Sequence, residues 1–222
     1  MSIIDSVISF IAPHACLVCE NEGALLCAGC KSTLTVVPSR CYRCRRLTTE
    51  GRTCPACRKR SALYAVRVAV VYEGVAKDLV WKLKYAGTQA AAREMAHLME
   101  CRSPLLPTLA TVVPVPTATS RARRRGYDQA TLIARAFARR ARIPFVVSLA
   151  RHGQAHQVGA NRRQRLTQLE SAFRVLNPSN IVGAHIILVD DVVTTGATLE
   201  AAAKVLRLAG ARRVDAVVFA QP

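Results

Sequence analysis

The chain has 222 residues, 51% of them hydrophobic, and carries 32 Lys and Arg against 14 Asp and Glu for a net charge of +18. That composition excludes a disordered chain and leaves room for one ordinary domain plus a small one. No apolar run approaches the roughly 18–20 residues of a membrane span, and the charge calls for a polyanionic partner: nucleic acid, an acidic membrane surface or a phosphorylated small molecule.

Residues 1–12 put Ile4, Ile8 and Ile11 on one face of a short amphipathic helix. Asp5 interrupts the apolar run and no basic segment precedes it, so the stretch does not read as an export signal. The expected setting is a reducing cytoplasm, where cysteines ligate metals or stay free rather than forming disulfides.

Residues 13–62 hold eight of the nine cysteines as four C-x-x-C pairs: Cys16 and Cys19, Cys27 and Cys30, Cys41 and Cys44, Cys54 and Cys57. Each pair aims two thiolates at one point about 2.3 Å away, and two pairs complete a tetrahedral zinc site. The pairs can combine sequentially, first with second and third with fourth, or interleave. The short spacers ENEGALL and RRLTTEGRT favour the sequential arrangement, with KSTLTVVPSR as a connector. All-cysteine sites are closed, so these two zinc ions are structural, stapling a segment poor in large apolar side chains. Cys101 stands apart and reads as an ordinary half-buried residue.

Residues 63–222 alternate strands and helices. VRVAVVY (Val66–Tyr72) reads as a strand, Lys77–Tyr85 and Ala90–Arg102 as helices, and Thr111–Pro116 as a strand stopped by prolines. DQATLIARAFARRA follows as a long helix, and Ile143–Ala150 is again strand-like. Residues 151–165 have no sustained period, so the segment is either disordered or a lid, and its arginines with two histidines favour a lid over an anion. HIILVDD is a continuous apolar strand, LEAAAKVLRLAG a helix ending near Gly210, and Arg213–Ala220 the last strand. The fold class is α/β with a mainly parallel sheet and flanking helices, preceded by the small double zinc ribbon.

The chemistry concentrates after HIILV. Asp190 and Asp191 stand at a strand's carboxyl end, where open α/β sheets bind ligands. The turn Thr194-Thr195-Gly196-Ala197-Thr198 leads into a helix N-terminus, where converging N–H groups, threonine hydroxyls and the helix dipole suit a phosphate. The carboxylates cannot bind that phosphate; they suit the hydroxyls of an attached sugar, directly or through a divalent cation. Together these features describe a site for a 5-phosphorylated ribose.

At Ile187–Leu199 the sequence resembles the type I phosphoribosyltransferases. The paired cysteines ahead of that domain, LKY (Leu83–Tyr85), VPVP (Val113–Pro116) and RARRRGYDQ (Arg121–Gln129) narrow the resemblance to the ComF/GntX competence-protein family, over nearly the whole chain. The resemblance implies phosphoribosyl pyrophosphate (PRPP) with Mg2+ as ligand. It implies ribose contacts and the catalytic role for Asp190 and Asp191, and the 5-phosphate in Thr194, Thr195, Gly196, Ala197 and Thr198. A pyrophosphate turn falls around Thr117 beside Arg121 and Arg125, and the mobile loop carries Arg163 and Arg165. Asp128 departs from the family's usual Asn, Ala160 from an apolar residue that is often Leu, and Gln168 from Asn. The implied role is phosphoribosyl transfer to an unidentified acceptor, linked to DNA uptake. The alternative is a non-catalytic PRPP sensor handling single-stranded DNA with the uptake machinery. A plain nucleic-acid-binding zinc protein ranks last, because it ignores the ribose-phosphate motif.

Overall fold

Four parallel strands form the sheet on which the chain is organised, in the order β1-β6-β5-β2. The computed structural model describes residues 15–103, 106, 109–151 and 172–222. The expected helix at residues 1–12 and nearly all of the expected lid, with Arg163 and Arg165, lie outside the described residues.

The strands are β1 (Val66–Val71), β2 (Ala110–Pro114), β5 (His185–Val192) and β6 (Arg213–Gln221); β3 (Leu149–Arg151) and β4 (Phe173–Val175) pair antiparallel as a separate ribbon. The helices are α1 (Ala28–Ser32), α2 (Pro55–Arg58), α3 (Gly74–Tyr85), α4 (Ala90–Cys101), α5 (Thr119–Arg125), α6 (Gln129–Ala141) and α7 (Ala197–Leu208). Side chains of β5 alternate across the sheet as a strand's period of two requires. Ile187 and Val189 join the core beneath α3, α4 and α6, while Ile186 and Leu188 join the core beneath α7. Both faces are therefore covered, which is why IILV (residues 186–189) is apolar throughout. Past the end of α7, Gly210 (φ +95°) donates to the Arg207 carbonyl and Ala211 to that of Leu206, a Schellman ending.

The sequential cysteine arrangement is the one that forms. Cys16, Cys19, Cys27 and Cys30 converge, as do Cys41, Cys44, Cys54 and Cys57, each quartet with its sulfurs within 4.8 Å of one another. The first knuckles of the two quartets share a turn. Glu20 and Arg45, each following the pair's second cysteine, adopt φ of 61° and 63° and donate to the carbonyls of Cys16 and Cys41.

The two quartets straddle the sheet's β1 edge. Cys16, Leu25, Leu26 and Cys30 pack into the core beneath α3 and α4, with Lys31 paired to Glu94 at 2.8 Å. Tyr42 and Leu63 pack into the opposite core, against Leu199 and Ala202 of α7. The expected connector between them also covers the edge of β1, because the Thr35 carbonyl accepts from the Val71 N–H at 2.8 Å and Val36 bridges Val70.

The expected strand at Ile143–Ala150 divides in two. Pro144 and Val146 bond to Val112, with Phe145 parallel beside β2, and the chain then turns so that Leu149–Arg151 pairs with Phe173–Val175. An apolar run states that a segment is buried, not which neighbour it finds. Neither the β4 strand nor α5 was expected. Cys101 is exposed at the end of α4 rather than half-buried.

Candidate functional site

The chain leaves β2 toward the side carrying Phe145 and leaves β5 toward β6. This divergence opens a crevice at the carboxyl ends of β2 and β5, the switch point where open α/β sheets bind ligands. Asp190 and Asp191 lie on β5 at that edge, and the turn after β2 contains Thr117.

The two carboxylates differ. Asp191 is buried, accepts from the Val192 N–H at 2.7 Å, and receives the ammonium of Lys84, at the end of α3, at 2.6 Å. Asp190 is half-buried and accepts from the Asp191 N–H at 2.9 Å. Burial and the negative charge of Asp191 raise the Asp190 carboxyl well above the usual carboxylate range, against the weaker pull of Lys84. One carboxylate is thus ion-paired within the protein, and its neighbour resists ionisation, a resistance that a bound cation would relieve. Such a donor set fits Mg2+, which takes one or two carboxylates and completes its shell with water and substrate phosphates.

Past the strand, Thr194 and Thr195 are exposed, and Gly196 caps α7 in the left-handed region at φ +77°. The Thr195 hydroxyl accepts from the Ala197 N–H at 3.3 Å. Ala197 and Thr198 begin the helix half-buried, so the exposed rim of the turn adjoins a helix N-terminus beside the carboxylates.

Behind that turn stands a group the sequence did not point to. A Cβ on Gly196 would sit 2.6 Å from a ring carbon of Tyr42, the residue between Cys41 and Arg43 in the second quartet. The Tyr42 hydroxyl donates to Glu200 Oε2 in the first turn of α7, while the Ser61 hydroxyl and the Ala62 N–H donate to the same carboxylate at 3.0 and 2.7 Å. Burial, then Glu200, push the Tyr42 phenol upward. An acid in a helix's first turn is the only local signal that could have marked Glu200.

On the β2 side the Thr117 N–H donates to Asp128 Oδ2 at 2.8 Å, while Asp128 Oδ1 caps α6 through the Thr131 N–H at 3.0 Å. The backbone donor expected for pyrophosphate is thus held by a side chain that departs from the family's Asn. Arg121 lies in α5. Arg125 donates to Gln129 Oε1 at 2.7 Å and lies 5.3 Å over the Tyr85 ring, with its Nε buried and without a hydrogen-bond partner. Lys84, Tyr85, Arg124, Arg125 and Tyr127 line an open cavity of about 350 Å³. Of these, Tyr85 is 60% exposed, and its ring centroid lies 6.2 Å from that of Trp81, itself 55% exposed. Lys84 and Trp81 are functional candidates that sequence reasoning missed, although LKY carries part of the family resemblance.

The quartets fit zinc. A tetrahedral ion with bonds of about 2.3 Å sets its sulfurs about 3.8 Å apart, and Cys19–Cys27 and Cys44–Cys54 stand at 3.7 and 3.5 Å. Backbone N–H groups of Cys19, Cys27 and Val18 hold the Cys16 thiol down at about 6. At Cys41, burial is outweighed by N–H groups of Cys44, Cys54 and Arg43, again giving about 6. Cys30, chiefly through Cys27 and burial, and Cys57, through burial and Cys54, are pushed up to about 12. Within each quartet one thiol ionises readily while another resists a further negative charge, and a divalent ion removes that conflict. Among the described residues no helix is long and apolar enough to cross a membrane.

Comparison with known proteins agrees with this geometry. Residues 103–222 match the family profile described as the phosphoribosyl transferase domain. Competence protein F of Haemophilus influenzae is 28% identical over 202 residues, covering 86% of this chain and 87% of its own. DNA utilization protein YhgH of Salmonella typhi is 28% identical over 219 residues, covering 91% of this chain and 95% of its own. Competence protein ComFC of Bacillus subtilis is 28% identical over 190 residues, covering 75% and 77%.

Proposed function

The chain belongs to the phosphoribosyltransferase family, in its ComF branch, and from that premise we propose that it binds PRPP with Mg2+ in the crevice between β2 and β5 and transfers the phosphoribosyl group to an acceptor. The observation that carries the reading is the juxtaposition at one sheet edge of Asp190 and Asp191 with the Gly196-capped turn into α7. In the proposed complex Asp190 and Asp191 face the ribose hydroxyls, Asp190 holding the ion and Lys84 keeping Asp191 oriented. Thr194 to Thr198 take the 5-phosphate. The ion would neutralise charge on the departing pyrophosphate, assisted by Arg121, Arg125, Arg163 and Arg165. Phosphoribosyl transfer asks little covalent chemistry of the protein. Positioning, charge stabilisation at the leaving group and exclusion of water supply the rate. The relatives' names, competence protein and DNA utilization protein, support a link to competence and DNA handling; DNA uptake and a cytoplasmic setting are part of the proposal.

The test is isothermal titration of PRPP, with and without Mg2+, into wild type and into the double variant Asp190→Asn, Asp191→Asn. The reading expects Mg2+-dependent binding in the wild type and none in the variant, with unchanged zinc content. Equal affinity in both removes the site. Pyrophosphate release across a panel of nucleobases then identifies turnover.

Trp81 and Tyr85 favour a second reading, a PRPP-responsive protein that handles single-stranded DNA without turnover. The exposed Tyr85 ring, sharing a cavity with Arg124 and Arg125 and lying against Trp81, offers stacking and phosphate neutralisation together. Binding of PRPP with no release from any acceptor would select it.

A further inference from the structure

The two cysteine quartets begin with similar knuckles, Cys-Leu-Val-Cys and Cys-Tyr-Arg-Cys, but do not do the same work. In the first, Leu17 lies against the core beneath α3 and α4, on the opposite face of the sheet from α7. In the second, the corresponding residue is Tyr42, almost fully buried, with its ring against Gly196 and its hydroxyl on Glu200. Three donors from the ribbon side converge on the Glu200 carboxylate: the Tyr42 hydroxyl, the Ser61 hydroxyl and the Ala62 N–H. Arg43 stands 3.9 Å from it. A buried carboxylate satisfied in this way has little freedom, and its helix turn shares that restraint. Gly196 itself accepts from the Glu200 N–H at 2.9 Å, so the residue that caps the helix and the residue that is gripped belong to one hydrogen-bonded turn.

We propose that Tyr42 is a positioning residue for the phosphate-binding turn. The second quartet fixes the Tyr42 ring as the rear wall of Gly196 and, through Glu200, holds the first turn of α7 in the orientation that presents its N–H groups to the 5-phosphate. The inference rests on the PRPP reading above for the identity of the ligand, but its mechanical content does not. The first quartet, on the other face of the sheet, has no such connection among the described residues. Anion binding at the turn is therefore coupled to the integrity of one metal knuckle and not to the other.

The experiment uses the full-length, zinc-loaded chain and two variants. Tyr42→Phe keeps the ring and removes the hydroxyl; Glu200→Gln leaves the knuckle intact and removes the charge. Two probes separate the ends of the site: ribose 5-phosphate reports the turn at Thr194–Thr198, and inorganic pyrophosphate reports the Thr117 side. The expected result is a dissociation constant for ribose 5-phosphate raised about tenfold in each variant, the scale of one lost hydrogen bond to a charged group, with pyrophosphate affinity and zinc content unchanged. Amide hydrogen exchange without ligand should accelerate over residues 194–199 and stay constant within β5. Parallel loss of both probes, or unaltered ribose 5-phosphate affinity with unaltered exchange, overturns the proposal. Should wild type bind neither probe, the PRPP reading fails by itself, and the exchange measurement alone decides whether Tyr42 holds the turn.

Discussion

Replacing Gly196 by alanine loads the turn into α7 with two separable penalties. The first is conformational. At φ +77° a side-chain-bearing residue costs roughly 1–2 kcal/mol relative to its ordinary regions. The second is steric. The new methyl would lie 2.6 and 2.7 Å from two carbons of the Tyr42 ring, well inside van der Waals contact, and Tyr42 cannot withdraw without breaking its bond to Glu200. Overpacking of this kind costs about 1–3 kcal/mol, so the variant should lose about 2–5 kcal/mol. If the fold holds the turn, the loss appears as lower stability in urea denaturation. If the turn yields, it appears as weaker ribose 5-phosphate binding, so both are measured and added. A double-mutant cycle with Tyr42→Ala separates the penalties, because removing the ring relieves the clash and leaves the φ cost. The expected coupling is about 1–3 kcal/mol. A Gly196→Ala protein within about 0.5 kcal/mol of wild type in both assays, or a coupling near zero, refutes the rear-wall geometry.

The raised Asp190 carboxyl has two consequences of opposite sense. In the ligand-free protein its folded value lies above the unfolded one of about 3.9, so its contribution to stability is present below that pH and is lost as pH rises through the folded value. On the proposed function Mg2+ and PRPP bind the ionised form, so affinity should fall on acidification at a pH above the ordinary carboxylate range. Titrations across pH should find that inflection absent in Asp190→Asn; an inflection that persists there assigns it elsewhere. At the opposite end of the sheet Asp215 is fully buried among Arg67 (3.3 Å), Arg213 (2.8 Å) and His185 (3.4 Å). Burial alone would raise its carboxyl, but His185 and Arg213 more than offset it and hold it below the usual range. That contribution is present above the unfolded value of about 3.9 and is lost as pH falls through the folded one. Asp215→Asn should cost about 3 kcal/mol, or roughly 6–12 °C in Tm, because Arg67 stays buried with Glu50 as its one remaining carboxylate among the described residues; a Tm within about 2 °C of wild type contradicts this. Trp81 is the single tryptophan. Its emission should change as an oligonucleotide saturates the protein, with affinity falling steeply as salt rises. Saturation without an emission change removes Trp81 from the proposed single-strand contact.

The cysteine quartets and the ribose-phosphate motif were legible because their chemistry is local. Two thiolates three residues apart share a ligand by turn geometry, and a strand, two acids and a Thr/Gly bend follow one another along β5 and into α7. The parallel sheet was legible from HIILV for the same reason: a strand apolar on both sides must be covered on both sides. The division of Ile143–Ala150 was not, since burial leaves the choice between β2 and β4 open. Nor was the unequal state of the acid pair, because the ammonium that satisfies Asp191 arrives from α3. Tyr42 and Glu200 are 158 residues apart, and nothing in either neighbourhood announces the other. Residue type and spacing determined which groups carry charge, which cysteines pair and where two acids meet a Thr/Gly bend. Only the tertiary structure decided which buried group each would meet, because a polar side chain taken out of water must find a partner, and the fold alone supplies it.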